Sequence, residues 1–168
     1  RYTKKQQYLS DFFELLLTTG LKQESGQFFT PVPVAQFVIK SLPIDTIIKE
    51  KLTIGKKDDL LPYVIDYSAG SGHFLTESMH EIQHLLMHET DDLKLKTEAK
   101  SFVEYAKVRH FDWAEKYVYG IEKDYRLVKV GKVGCYLHGD GLANVIHSDG
   151  LANFKHKDYK EKLKVTDK

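Results

Sequence analysis

Three carboxylates each close a short apolar run: Asp66 after Tyr63-Val64-Ile65, Glu122 after Val118-Tyr119-Gly120-Ile121, and Asp149 after Asn144-Val145-Ile146-His147-Ser148. Directly behind the first comes Tyr67-Ser68-Ala69-Gly70-Ser71-Gly72. Glycines between a strand and a helix let the main chain approach a ligand closely, and the amides of the following helix point at any anionic group. A carboxylate at the end of the neighbouring strand can accept both hydroxyl protons of a vicinal diol. If the three runs are parallel strands, their acids share one edge of one crevice, where open α/β sheets hold ligands. A nucleoside is the natural occupant.

The turn narrows the choice of nucleoside. Gly70-x-Gly72-x-x-Leu75 lacks the third glycine that brings a helix close beside a pyrophosphate, and no GxxxxGK[ST] loop occurs. S-adenosylmethionine carries an amino-acid head instead of phosphates and suits the shorter turn. An acid beside the turn can meet its ammonium group, and the helix amides can meet its carboxylate.

The elements that must position these residues are legible in outline. Apolar spacing predicts a buried-face helix over Gln6 to Thr19, ended by Gly20. Pro31 and Pro33 suit the first turn of a second helix running to about Leu42, with Thr30 as its N-cap. A third helix is expected over Ile44 to Leu52, and a charged loop over Gly55 to Leu60. Then strand, glycine turn and helix follow: Tyr63 to Asp66, the turn, and His73 to Leu86. A second strand, Tyr117 to Glu122, precedes a helix over Leu127 to Tyr136, and a third strand spans Asn144 to Asp149. Thr90 to Lys116 reads as a charged and aromatic insertion, helical over Thr97 to Val108. Strand-then-helix repetition predicts an α/β fold with a parallel sheet. The expected organisation is an N-terminal helical segment over 1–60, a core over 61–154, and a loose charged tail over 155–168.

Composition sets outer limits. The chain has 168 residues, and its 25 Lys and Arg against 24 Asp and Glu leave a net charge of +1, which excludes a strongly basic nucleic-acid coat. One cysteine, Cys135, excludes an intramolecular disulfide and a thiolate zinc cage, and is read as a small buried residue. The histidines are read as solvated or core residues, with His73 at the surface or grazing a ligand, and no metal site is expected. No apolar run reaches the roughly 18 residues of a membrane span. With no signal peptide in view, the expected location is cytoplasmic. Starting at Arg1 and stopping in a lysine-rich tail, the chain reads as a piece of a longer protein.

Three ordered motifs carry a family resemblance. Gly26-Gln27-Phe28-Phe29-Thr30-Pro31 resembles the GQFYTP element of the N(6)-adenine DNA methyltransferases of type I and type IIG-like restriction–modification systems. Asp66 to Leu75 resembles their DPxxGxGxFL cofactor motif, with Tyr67 where the family has proline, and Gly120-Ile121-Glu122 resembles the GxE element that follows. The resemblance implies a class I S-adenosylmethionine-dependent methyltransferase core, Rossmann-like and truncated, with N-terminal helices. It implies that Thr30, Asp66, Ser68, Ala69, Gly70 and Gly72 contact the methionine part of the cofactor and that Glu122 holds the ribose. Asp149, preferred over Asp140, would lie against the adenine. DNA is the implied substrate of the full-length parent, with specificity and restriction subunits or domains as further partners.

The family's catalytic element, Asn/Asp-Pro-Pro-Phe/Tyr, accepts the hydrogens of the target amino group and stacks on the extruded base. Pro31, Pro33, Pro43 and Pro62 are the only prolines and no two adjoin, so the chain is expected to be inactive alone. Two alternatives stand beside this reading: a non-catalytic, methyltransferase-like interaction module, and a methyltransferase acting on protein or RNA.

Overall fold

The computed structural model describes residues 30–138 and 144–153, together with Tyr8, Phe12, Leu15, Lys155 and Tyr159. In chain order the elements are α1 (Val32–Lys40), α2 (Ile44–Ile54), β1 (Val64–Asp66), α3 (His73–His88), α4 (Thr97–Val108), α5 (Ala114–Tyr117), β2 (Val118–Glu122), α6 (Tyr125–His138) and β3 (Asn144–His147). The strands form one parallel sheet in the order β1-β2-β3. Its register sets Asp66 opposite Gly120 and Glu122 opposite His147. Glu122 therefore reaches two residues past the end of β1, into the region of the glycine turn.

Side chains alternate across the sheet as the pleat requires. Val64, Val118 and Val145 join the main core, with Leu75, Met79, Ile82 and Leu86 from α3 and Val128 and Cys135 from α6. Ile65, Ile121 and Ile146 face the other way and pack with Tyr159 and Ala152. Ile39 of α1 and Ile44, Ile48 and Leu52 of α2 belong to the same core as α3. A buried thiol at Cys135 agrees with its reading from sequence.

Several boundaries differ from expectation for clear reasons. Thr30 does not cap α1. Pro31 occupies the cap position with φ −57° and ψ 140°, and its carbonyl takes the amides of both Val34 and Ala35. Thr30 thus stands one residue too early to reach the free amides of the first turn. β3 stops at His147, so Asp149 is not a strand tip. It lies in a turn of its own making, where Oδ1 accepts the Leu151 amide at 3.0 Å and its carbonyl accepts the Ala152 amide at 2.9 Å. Tyr117 ends the short helix α5 instead of opening β2.

The insertion does contain a helix over Thr97–Val108, and it is sewn to α3 by Gln83. Gln83 Oε1 accepts from the Trp113 indole at 2.9 Å and from the Phe111 amide at 3.1 Å, while its Nε2 donates to the Ala106 carbonyl at 3.1 Å. A buried amide side chain with three partners holds one arrangement of the loop, including Phe111 at φ 67°.

Of the expected first helix, Tyr8, Phe12 and Leu15 are helical but exposed at 72%, 52% and 62%, not buried. The rest of that segment, Gly26 to Phe29, Asp140 and most of the tail lie outside the described residues. Within the tail, Tyr159 is buried with Ile121 and Ile146.

Candidate functional site

The carboxyl ends of the strands carry a compact hydrogen-bonded arrangement. Gly70 at φ 53° and Gly72 at φ 88° occupy the left-handed region, which side-chain-bearing residues rarely adopt. That curvature folds the chain so that the Gly72 amide reaches the Ala69 carbonyl at 2.7 Å, and α3 starts at the next residue. The turn is hung on β2, because the Ala69 amide donates to the Ile121 carbonyl at 2.9 Å.

Glu122 is the hub. Its Oε2 accepts the Gly70 amide at 2.9 Å and its Oε1 the Asp124 amide at 2.7 Å. Its own carbonyl accepts the Ser148 amide from the loop after β3 at 3.1 Å. Only 9% of the residue is exposed. An ionised carboxylate has about four acceptor positions, and the two amides use two of them. Two remain, the number needed by a vicinal diol.

Asp66 turns back on its own loop, its Oδ1 accepting the Ser68 amide at 2.9 Å. Burial pushes its carboxyl above the ordinary value; the Ser68 amide opposes this, and the nearby charge of Glu122 adds to it. Asp149 is different. The Leu151 amide and the charge of Lys123, 3.5 Å away, hold its carboxyl below the ordinary value.

The loops after β1 and β3 meet across the end of β2. A Cβ at Gly150 would collide with the Tyr67 carbonyl, so glycine is what allows the contact. The Tyr159 hydroxyl donates to the Asp149 carbonyl and fastens the same loop from the other side. This closure accounts for the burial of Glu122 between its neighbours.

The missing third glycine of the turn has a counterpart in the sheet. A Cβ at Gly120 would stand 2.6 Å from Leu75 Cδ1 and 2.9 Å from Ala69 Cβ. Space for α3 against the sheet is thus made on the strand, with leucine left on the helix. The GxE motif alone gives Gly120 no such role, which only the packing of α3 reveals. His73, expected at the surface or grazing a ligand, instead has its Nδ1 2.9 Å from the Thr30 carbonyl.

Asp66, Ser68, Ala69, Gly70, Gly72 and Glu122 are accordingly drawn into one cluster. Thr30 is tied to it through His73, and Asp149 through its loop. Although no metal site is expected, His80-Glu81-Ile82-Gln83-His84 has the HExxH spacing of a helical zinc site. In the fold His80 is half-buried and edge-on to Phe111, and the His84 ring is tilted at 52° to that of His88, with centroids 4.8 Å apart. Among the described residues no group of three or more His, Cys, Asp or Glu side chains is placed to hold a metal ion. No described helix is long and apolar enough to cross a membrane.

A parallel β1-β2-β3 sheet with crossover helices, a glycine turn after the first strand and a buried acid ending the second make this a small α/β fold of the Rossmann-like methyltransferase kind. The N-6 DNA methylase family model matches residues 4–166, and the chain belongs to that family. Its chemistry is methyl transfer to DNA, with S-adenosylmethionine as the general donor. A search of curated proteins finds no significant match.

Proposed function

We propose that the crevice beyond β1, β2 and β3 binds S-adenosylmethionine, and that the chain is the cofactor-binding part of an adenine-N(6) DNA methyltransferase of a type I or type IIG-like restriction–modification system. One observation carries the reading: the buried Glu122 carboxylate is pinned by the Gly70 and Asp124 amides yet keeps two acceptor positions. In this reading those positions take the ribose hydroxyls. Asp66, Thr30 and the main chain from Ser68 to Gly72 hold the methionine part, and Asp149 lies against the adenine. The bound cofactor would supply an electrophilic methyl carbon on sulfur.

DNA is the partner, alongside specificity and restriction subunits, in the cytoplasm. With no adjacent prolines, the chain has no Asn/Asp-Pro-Pro-aromatic element, and the reading assigns the transfer step to residues other than these.

Calorimetric titration of S-adenosylmethionine into wild type, Glu122→Gln and Glu122→Ala tests the assignment. Loss of a charged acceptor for two hydroxyls should weaken binding about tenfold or more in both variants. Equal binding by all three, with circular dichroism unchanged, removes Glu122 from the ribose role. A second reading, the non-catalytic interaction module, draws on α4, which leaves Tyr105 54% and Val108 80% exposed. If Tyr105→Ser with Val108→Ser abolished partner binding in a chain that took up no cofactor, this second reading would be preferred.

A further inference from the structure

The element holding Thr30 and the glycine turn are separated by about forty residues of sequence, yet one side chain joins them. His73 is the first residue of α3, immediately after the turn, and its Nδ1 lies 2.9 Å from the Thr30 carbonyl. A carbonyl only accepts, so Nδ1 carries the hydrogen; it does so in one neutral tautomer and in the imidazolium alike. Thr30 precedes a proline, which restricts it to extended backbone. Pro31 is itself extended at ψ 140° before α1 begins. A pre-proline residue with its carbonyl anchored has little main-chain freedom left, so the bond to His73 holds the backbone from which the Thr30 side chain projects.

We infer that His73 is a positioning residue: it buckles the Thr30 segment to the glycine turn and so sets the Thr30 hydroxyl over the cofactor crevice. This rests on the cofactor-site reading above. The imidazole acts through Thr30 and makes no contact of its own with the ligand. Mere packing would make His73 replaceable by any side chain of similar bulk. A buckle instead requires a donor three bonds from Cα, which asparagine also provides through its Nδ2.

The test uses the whole chain with S-adenosylmethionine as the probe, comparing wild type, His73→Ala, His73→Asn, Thr30→Ala and the double variant Thr30→Ala/His73→Ala. Loss of one partly buried hydrogen bond should make His73→Ala bind about five- to tenfold more weakly, and His73→Asn should return to within about twofold of wild type. In the Thr30→Ala background, His73→Ala should cost less than about twofold, because residues acting through one another do not add. Hydrogen exchange supplies a ligand-free reading. The Val34 and Ala35 amides, which bond to the Pro31 carbonyl, should exchange faster in His73→Ala and recover in His73→Asn. Wild-type binding with no loss in His73→Ala, or with no rescue by asparagine, or with an undiminished loss in the Thr30→Ala background, overturns the proposal. A wild type that takes up no cofactor overturns the site reading and the positioning role with it, and the exchange data then decide whether the buckle itself exists.

Discussion

Glu122 Oε2, at the end of β2, accepts the amide of Gly70, in the turn after β1, at 2.9 Å. Two motifs 52 residues apart therefore share a hydrogen bond before any ligand arrives. The acid is part of the scaffold of its own site. That double duty shapes what its substitution will do.

Glu122→Ala should destabilise the ligand-free protein by about 1–3 kcal/mol, because the Gly70 and Asp124 amides lose their acceptor together. Glu122→Gln keeps one acceptor oxygen and should lose less. Urea unfolding of the three proteins checks the order wild type, Gln, Ala. If Ala and wild type unfold at the same urea concentration, the two amides have found water and the hub is not structural.

Gly120→Ala should cost about 1–3 kcal/mol, since its Cβ would press on Leu75 and Ala69 in a packed core. The close partners are side chains, so the strain has a specific remedy. Leu75→Ala is costly by itself, being a core truncation of about 2–5 kcal/mol. Combined with Gly120→Ala it should cost clearly less than the two separate losses added. Strict additivity in thermal or urea unfolding would show that the helix and strand do not meet at this point.

Asp66 makes stability depend on pH in a defined direction. Its folded carboxyl titrates above the ordinary value, chiefly through burial. The folded protein thus holds that proton more tightly than the unfolded chain. The associated stability is fully present below the ordinary value of 3.8 and is lost as pH rises through the raised one. Asp66→Asn keeps an acceptor for the Ser68 amide and removes the charge. It should raise the melting temperature relative to wild type near neutral pH, with the gap closing as the pH falls toward 3.8. A constant gap across that range would mean that the charge of Asp66 is not what burial penalises.

Much of the layout is written locally. Val64-Ile65-Asp66 and Val118 to Glu122 announce themselves as strands because apolar residues run through them toward both faces, half-buried in β1 and buried in β2, and a short apolar run needs no context to be read. Thr97–Val108 has a helical apolar period, and the helix appears with those bounds. Thr30 and Asp149 were harder for an equally physical reason. A cap depends on the dihedral angles of the next residue, and the extended Pro31 moved the helix start past Thr30. A strand ends where its ladder partner ends, and an Asx turn at Asp149 competes with continuing the ladder.

The sequence by itself determined the order of strands and helices, the acid at the end of β2, and the two glycines whose positive φ makes the turn. Those are properties of a residue and its immediate neighbours. Only the tertiary structure decided which groups satisfy one another: Glu122 with the Gly70 amide, Gly120 with Leu75, His73 with the Thr30 carbonyl, Gly150 with Tyr67. These pairs lie 43 to 83 residues apart, and no local pattern encodes them. Glu122 meets Gly70 and Gly150 meets Tyr67 because a parallel sheet sets the ends of successive strands about 5 Å apart, which brings the loops that follow them together whatever their distance along the chain. The other two pairs come from α3, which packs on β2 through Leu75 and meets the residue before α1 through His73.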